Sequence, residues 1–211
     1  MPYPFITRSL AAAAIIAMSS APLLAREITH AMGITEVPDS PQRIVVLTNE
    51  GTEAMLAIGV TPVGAVKSWL GDPWYDHIAD DMAEVTMVGE ESAVNLELLV
   101  ALEPDLILAN KARHEAIYEQ LSAIAPTVVS ERLRGDWKIN MELYTDAVGE
   151  GDAGKQALAA FDGRVAAIHD ALGASIEEEI SIARFMGGQT RIMFKDSFSG
   201  LILEQLGFHR P

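Results

Sequence analysis

The chain has 211 residues, with 15 Lys and Arg against 30 Asp and Glu, five His and no Cys, for a formal charge of -15. That charge excludes affinity for nucleic acid driven by phosphate neutralisation, and the lack of Cys excludes a disulfide framework, thiolate metal ligation and a cysteine nucleophile. With 49% apolar and 6% aromatic residues, the composition is that of a globular protein with an aliphatic core, not of an acidic disordered tail.

Residues 1–25 carry one charge, Arg8, then the unbroken apolar run Leu10 to Met18, then small and turn residues up to Ala25. This is the pattern of a secretory signal peptide. The apolar run covers nine residues, whereas a membrane-spanning helix needs roughly 20. Removing the segment leaves 14 bases and all 30 acids. The expected product is a soluble, acidic, exported protein, free in a periplasm and, without a Cys to carry lipid, not a lipoprotein.

From Arg43 onward short β-branched runs alternate with helical patterns. Arg43 to Leu47 predicts a strand, followed by a helix from about Gly51 that Gly59 stops. Pro62 to Val66, Val85 to Val88, Leu106 to Ala109 and Thr127 to Ser130 predict further strands. Helices are expected over Leu96 to Leu102, with Asn95 as N-cap, and over His114 to Ala123. Strands alternating with helices imply a parallel sheet covered on both faces.

The pattern then changes. From about Met141 to Leu172 no strand is evident, and Ala, Leu, Val and Ile recur at helical spacing despite Gly149, Gly151 and Gly154. A long helix, with a possible break at those glycines, is the simplest reading. Strands resume at Ile180 to Phe185 and Arg191 to Phe194, followed by a helix from about Ser199 to Leu206. The fold class is therefore α/β, with two lobes built on parallel-type sheets covered by helices and joined by one long backbone helix. The expected division is a signal peptide (1–25), an N-terminal lobe (26–138), the connecting helix (139–174) and a partial C-terminal lobe (175–211). An internal echo supports it, since RIVVLTNEGTEAMLAIG (Arg43 to Gly59) and RIMFKDSFSGLILEQLG (Arg191 to Gly207) share strand, loop, helix and terminal Gly, although Arg, Ile and the last Gly are their only identities. The first lobe continues to Ser130, but only four residues follow Gly207, so the second lobe is expected to be incomplete.

The segments RIVVL, GVTPVGAV, NLELLVALEPDLILAN, YEQLSAIAPTVV and RGDWKIN, in this order and spacing, resemble the periplasmic substrate-binding proteins of ABC importers for iron-siderophore complexes, a class that includes cobalamin and haem carriers. The likeness runs from about Ile28 to Pro211. It implies two α/β lobes bridged by one long helix, a ligand held between the lobes, delivery to an inner-membrane permease, and no enzymatic activity.

The residues bear independently on the ligand. In open parallel sheets ligands sit beyond the carboxyl ends of the strands, and the loops there carry Lys67, Lys111, Arg113 and Lys195. Basic groups in those loops suit an anionic ligand, because a guanidinium offers a planar fork to carboxylate or hydroxamate oxygens; loop-tip bases are as often simply solvated. Two of the three Trp, Trp69 in KSWLGD and Trp137 in RGDWKIN, stand in polar loop contexts and suit the organic shell of a chelate, while Trp74 reads as structural. Arg184, a charge inside a predicted strand, is cheapest if it points into the cleft. The resemblance places basic and aromatic contacts of the second lobe in this region, which makes Arg184, Arg191 and Phe198 ligand-binding candidates; an ion pair with Glu177, Glu178 or Glu179 would equally account for Arg191.

Glu97, in the first turn after Asn95, is stabilised there by the cap and the helix dipole. The resemblance gives it a further role, contact with permease arginines. The five His are scattered without metal-ligand spacing, so no protein-ligated metal and no cofactor are expected, and iron would arrive already chelated. His114, beside Arg113, could hydrogen-bond a ligand. The expected partners are a ferric siderophore and an ABC permease, with the protein itself a monomer. Cobalamin or haem capture, favoured by a hydrophobic cleft without Arg, is the alternative, as is a partial chain that does not transport. A hydrolase would have to be assembled from Ser197 or Ser199 with His209, and neither serine lies in a G-x-S-x-G elbow.

Overall fold

The structure is a computed structural model, and it describes residues 25–209. Of the expected leader only Ala25 is among them; residues 1–24 lie outside the described part. A hairpin that the sequence reading did not anticipate comes first, β1 (Ala25–His30) with β2 (Gly33–Pro38), antiparallel and buried at Ile28 and Val37. The alternating α/β unit follows: β3 (Ile44–Val46), α1 (Asn49–Ala57), β4 (Gly64–Ala65), β5 (Thr86–Met87), the small hairpin β6 (Gly89–Glu90) and β7 (Ala93–Val94), and α2 (Leu96–Leu102). It continues with β8 (Leu106–Asn110), α3 (Lys111–His114), a 3-10 turn (Glu115–Ile117), α4 (Tyr118–Ile124) and β9 (Thr127–Ser130).

Five of these strands form one sheet in the order β5-β4-β3-β8-β9, every neighbouring pair parallel, as the alternation of runs implied. Ile44, Val46, Leu106, Leu108 and Val128 face one layer with Met55, Met141 and Tyr144. Val45, Leu47, Ile107, Ala109 and Val129 face the other, with Leu99 and Leu121. Two-residue alternation within a continuous apolar run thus serves two cores, which is what a sheet covered on both sides requires. Two helices of this unit, α1 and α2, start at side-chain caps. Thr48 Oγ1 accepts the Gly51 N–H at the head of α1, and Asn95 Oδ1 accepts the Glu97 and Leu98 N–H groups at the head of α2.

The expected long helix is two helices, α5 (Trp137–Ala147) and α6 (Gly151–Leu172). The first begins two residues earlier than assigned, so Trp137 opens a helix and is not a loop residue. The chain turns at Gly149, whose φ of +83° suits glycine. Beside this turn Gly154 packs so closely on α5 that a Cβ there would overlap the Thr145 side chain. Tyr144 anchors α5 to the sheet: its buried hydroxyl donates to Ala109 O at 2.9 Å and lies 2.7 Å from Ser130 Oγ, and burial pushes its pKa up. By contrast, α6 buries only Gly154 and Leu158 and then leaves the sheet.

After a 3-10 turn (Gly173–Glu177), the described part of the second lobe consists of β10 (Ile182–Met186), β11 (Gln189–Met193) and α7 (Phe198–Gln205). Here the expectation of a parallel-type sheet is corrected. β10 and β11 pair antiparallel, because the two glycines Gly187 and Gly188 close them into a hairpin. Strand and helix nevertheless follow one another as in the first lobe, and Ser197 Oγ caps α7 through the Gly200 N–H much as Thr48 caps α1.

The packing of α5 on α6 sets a test of sign. Replacing a helical Gly by Ala ordinarily stabilises by about 1 kcal/mol. Gly154→Ala is expected to destabilise by about 1–3 kcal/mol instead, through forced separation of the two helices; urea unfolding of the variant beside the parent measures it.

Candidate ligand-binding groove

Strand order places the site. β3 leads to β4 and β5 on one side, and the chain then returns to add β8 and β9 on the other, so the loops after β3 and β8 diverge and leave a crevice at the carboxyl edge. Three adjoining hollows occupy that edge. One, of about 190 Å³, is lined by Lys67, Ser68, Trp69, Glu90, Glu91 and Arg113 among others. A second, of about 300 Å³, shares Trp69, Glu91 and Arg113 with it and adds Asn49, Glu50 and Arg134. A third, of about 420 Å³, shares Glu50 and Arg134 with the second and is otherwise mostly apolar, with Trp137, Met141, Phe161 and Phe198.

The structure brings together some of the expected residues and separates others. The Arg113 guanidinium lies over the Trp69 ring, 5.7 Å from its centroid, a cation–π arrangement at the mouth of the groove. Trp137 meets Phe198 edge-on at 6.2 Å and Phe161 at 4.9 Å, so α5, α6 and α7 join in one aromatic cluster at the apolar end. Lys111, by contrast, lies outside the three hollows, its Nζ 3.1 Å from Glu131 Oε1. Arg184 and Arg191 are exposed cross-strand partners on the second-lobe hairpin, also outside the hollows. Glu97 is exposed on α2, away from the groove, where a surface contact would need it. Trp74 is buried beside Ile78 and Met82, a structural residue as read.

His114 does not face the groove. It is buried, and its Nε2 lies 3.0 Å from Glu91 O while its Nδ1 accepts the Asn110 N–H at 3.1 Å. Both partners are satisfied by one neutral tautomer, Nε2–H donating and Nδ1 accepting. Ser197 Oγ, the best hydroxyl for a hydrolase, donates to Phe194 O and accepts from Gly200 N; it caps α7.

The charge balance differs from the sequence expectation. Basic groups do converge, but the two polar hollows set Lys67, Arg113 and Arg134 against Glu50, Glu90 and Glu91. Glu50 accepts the Arg134 backbone N–H at 3.1 Å and an Asn140 side-chain N–H at 2.6 Å. Burial raises its pKa above the usual carboxylate value against these bonds. The Lys67 ammonium and the Arg134 guanidinium make no ion pair among the described residues, which leaves them, with the Nη groups of Arg113, as donors for an anion. Glu50, Glu91 and Arg134 escaped the sequence reading; the one signal for Arg134 is its place in the same RGDWKIN segment as Trp137.

A family model described as "Periplasmic binding protein" matches residues 44–209. The chain belongs to that family. Among its relatives, the "Probable siderophore-binding lipoprotein YfiY" of Bacillus subtilis (strain 168) is 54% identical over 88% of this chain and 58% of its own length. The "Achromobactin-binding periplasmic protein" of Dickeya dadantii (strain 3937) is 31% identical over 80% of this chain and 56% of its own. The crystal structure of Staphylococcus aureus SirA complexed with staphyloferrin B superimposes with a TM-score of 0.80 at 37% identity, over 88% of this chain and 64% of that one. The chain therefore spans less than two thirds of the length of these relatives.

The buried His114 makes stability depend on pH in a defined direction. Burial holds its pKa below the ordinary value of 6.5, so the unfolded chain binds more protons than the folded one. Stability is then fully present above about pH 6.5 and falls as the pH drops through it, by at most about 1.4 kcal/mol per pH unit for one histidine. Urea unfolding at about pH 7.5 and about pH 6 should show that loss, and His114→Gln should reduce it. His30, whose pKa burial also lowers, acts in the same direction, and Glu50, whose pKa burial raises, acts in the opposite one.

Proposed function

We propose that the protein captures a ferric siderophore in this groove, outside the cytoplasm, and presents it to an inner-membrane ABC permease. The observation that carries the reading is the pairing of Arg113 with Trp69 at the carboxyl edge of β4 and β8, continuous with the Trp137–Phe198 cluster. Guanidinium forks suit the anionic oxygens around a chelated iron, and indole faces suit its organic shell. The names of the relatives support the same ligand class. With Arg113 and Arg134 in the groove, the arginine-free cleft that would favour cobalamin or haem is not what the chain has. Arg184 and Arg191 are the second-lobe bases that a closing hairpin would bring to the ligand. Binding without transport is the second reading, favoured by the exposure of Phe185 (81%) on the hairpin and of Phe194 (70%) just after it.

Titration of tryptophan fluorescence with ferric citrate, a ferric trihydroxamate and a ferric tricatecholate tests the capture. At least one is expected to quench saturably, with affinity falling about tenfold in Arg113→Ala. A folded sample that none of the three quenches would remove the reading. Glu97→Ala is expected to leave chelate affinity unchanged while lowering chelate-dependent iron uptake by cells that supply the permease; unchanged uptake would dismiss Glu97 as the permease contact.

A further inference from the structure

Glu91 is a buried carboxylate, 7% exposed, in the middle of a groove that is expected to attract anions. Its bonds explain why it is there. One oxygen, Oε1, accepts the Asn49 backbone N–H at 2.7 Å and the Asn49 side-chain N–H at 2.9 Å, which ties the residue to the first turn of α1. The other, Oε2, lies 3.5 Å from Arg113 Nε. The Glu91 carbonyl in turn receives the Nε2–H of buried His114. Arg113 and His114 are neighbours on α3, so this short helix holds Glu91 twice, by side chain and by backbone, while Asn49 fixes it from β3's end of the sheet.

The consequence falls on Arg113. An exposed arginine samples many rotamers, and fixing one on binding costs affinity. Here the Nε edge faces Glu91 Oε2 in an ion pair at 3.5 Å and the guanidinium face rests on Trp69, and neither Nη group donates a hydrogen bond among the described residues. A guanidinium held by one edge and one face presents its remaining donors as a preformed fork. We propose that Glu91 is a positioning residue for anion capture, its buried carboxylate orienting Arg113 so that the two Nη groups are offered to the ligand. The inference rests on the ferric-chelate reading for the identity of the ligand, but its geometric core does not.

A simple charge argument says the opposite, that Glu91 neutralises Arg113 and competes with the ligand, and the two accounts separate experimentally. Glu91→Gln retains an oxygen for the Asn49 donors and removes the charge that holds Arg113. Positioning predicts that the affinity for ferric citrate falls about tenfold in Glu91→Gln, and that the same substitution made in Arg113→Ala has no further effect, a non-additivity that a merely structural loss would not produce. Tighter binding by Glu91→Gln, or an equal loss in both backgrounds, overturns the proposal. A ligand-free readout keeps the two readings distinct. The Arg113 Nε–H resonance in a proton–nitrogen NMR spectrum should be slowed in solvent exchange in the parent and fast in Glu91→Gln, with unfolding midpoints confirming that both are folded. Exchange that is equally fast in both overturns the positioning role even where ferric citrate binds. Slow exchange in the parent alone, with no chelate bound, sustains it and overturns the ligand assignment.

Discussion

Covering both faces of the five-stranded parallel sheet is the constraint from which the rest of the molecule follows. Once Ile44, Val46, Leu106 and Leu108 are committed to one layer and Val45, Leu47, Ile107 and Ala109 to the other, neither face has room for polar chemistry. The strand edges of the sheet are partly closed as well, since the Ala31 N–H beyond β1 donates to Val129 of β9. What remains is the carboxyl edge, where the chain diverges after β3 and β8 and where every polar side chain of the groove is found. Asn110, Thr48 and Ser130, buried at the ends of their strands, form the floor that links the core to that edge.

The groove mixes paired and unpaired bases in a strongly acidic protein. Arg113 faces Glu91, while Lys67 and Arg134 make no ion pair among the described residues. At a net charge of -15 the protein as a whole repels an anion. An anionic ligand, as proposed, would then be selected by short-range, directional contacts, in which a fixed guanidinium edge is worth more than an unattached charge. The cation–π contact of Arg113 with Trp69 and the edge-on contact of Trp137 with Phe198 add surfaces that recognise an organic shell irrespective of its charge.

The connecting helices give the groove its second wall. Tyr144 fastens α5 to β8 and β9 through Ala109 and Ser130, and Gly154 lets α6 start hard against it. Trp137, at the head of α5, touches Phe161 of α6 and Phe198 of α7. The apolar end of the groove is thus built from α5, α6 and α7 together, and Glu50 and Arg134 line both it and the polar hollow beside it.

Much of the first lobe was legible in the amino-acid order, because the strands of the parallel sheet are short apolar runs and α2 announces its start with the capping residue Asn95. The residue types in the loops after β4 and β8 made Trp69 and Arg113 candidates, but their stacking and the contact of Trp137 with Phe198 at the heads of α5 and α7 are set by the fold. Other features depend on partners distant in sequence. The Gly149 turn that splits the connecting helix and the close fit of Gly154 on Thr145 are tertiary contacts. So is the antiparallel pairing of β10 with β11, since a run of apolar residues has the same pattern whichever way its neighbour runs. Lys111 and His114 looked available because their sequence neighbours are polar, yet one is taken up by Glu131 from the next strand and the other is buried under Glu91. Local pattern determined the elements and the kind of side chain at their ends; only the folded arrangement decided which charges were already spoken for, because an ion pair depends on distance in space and not along the chain.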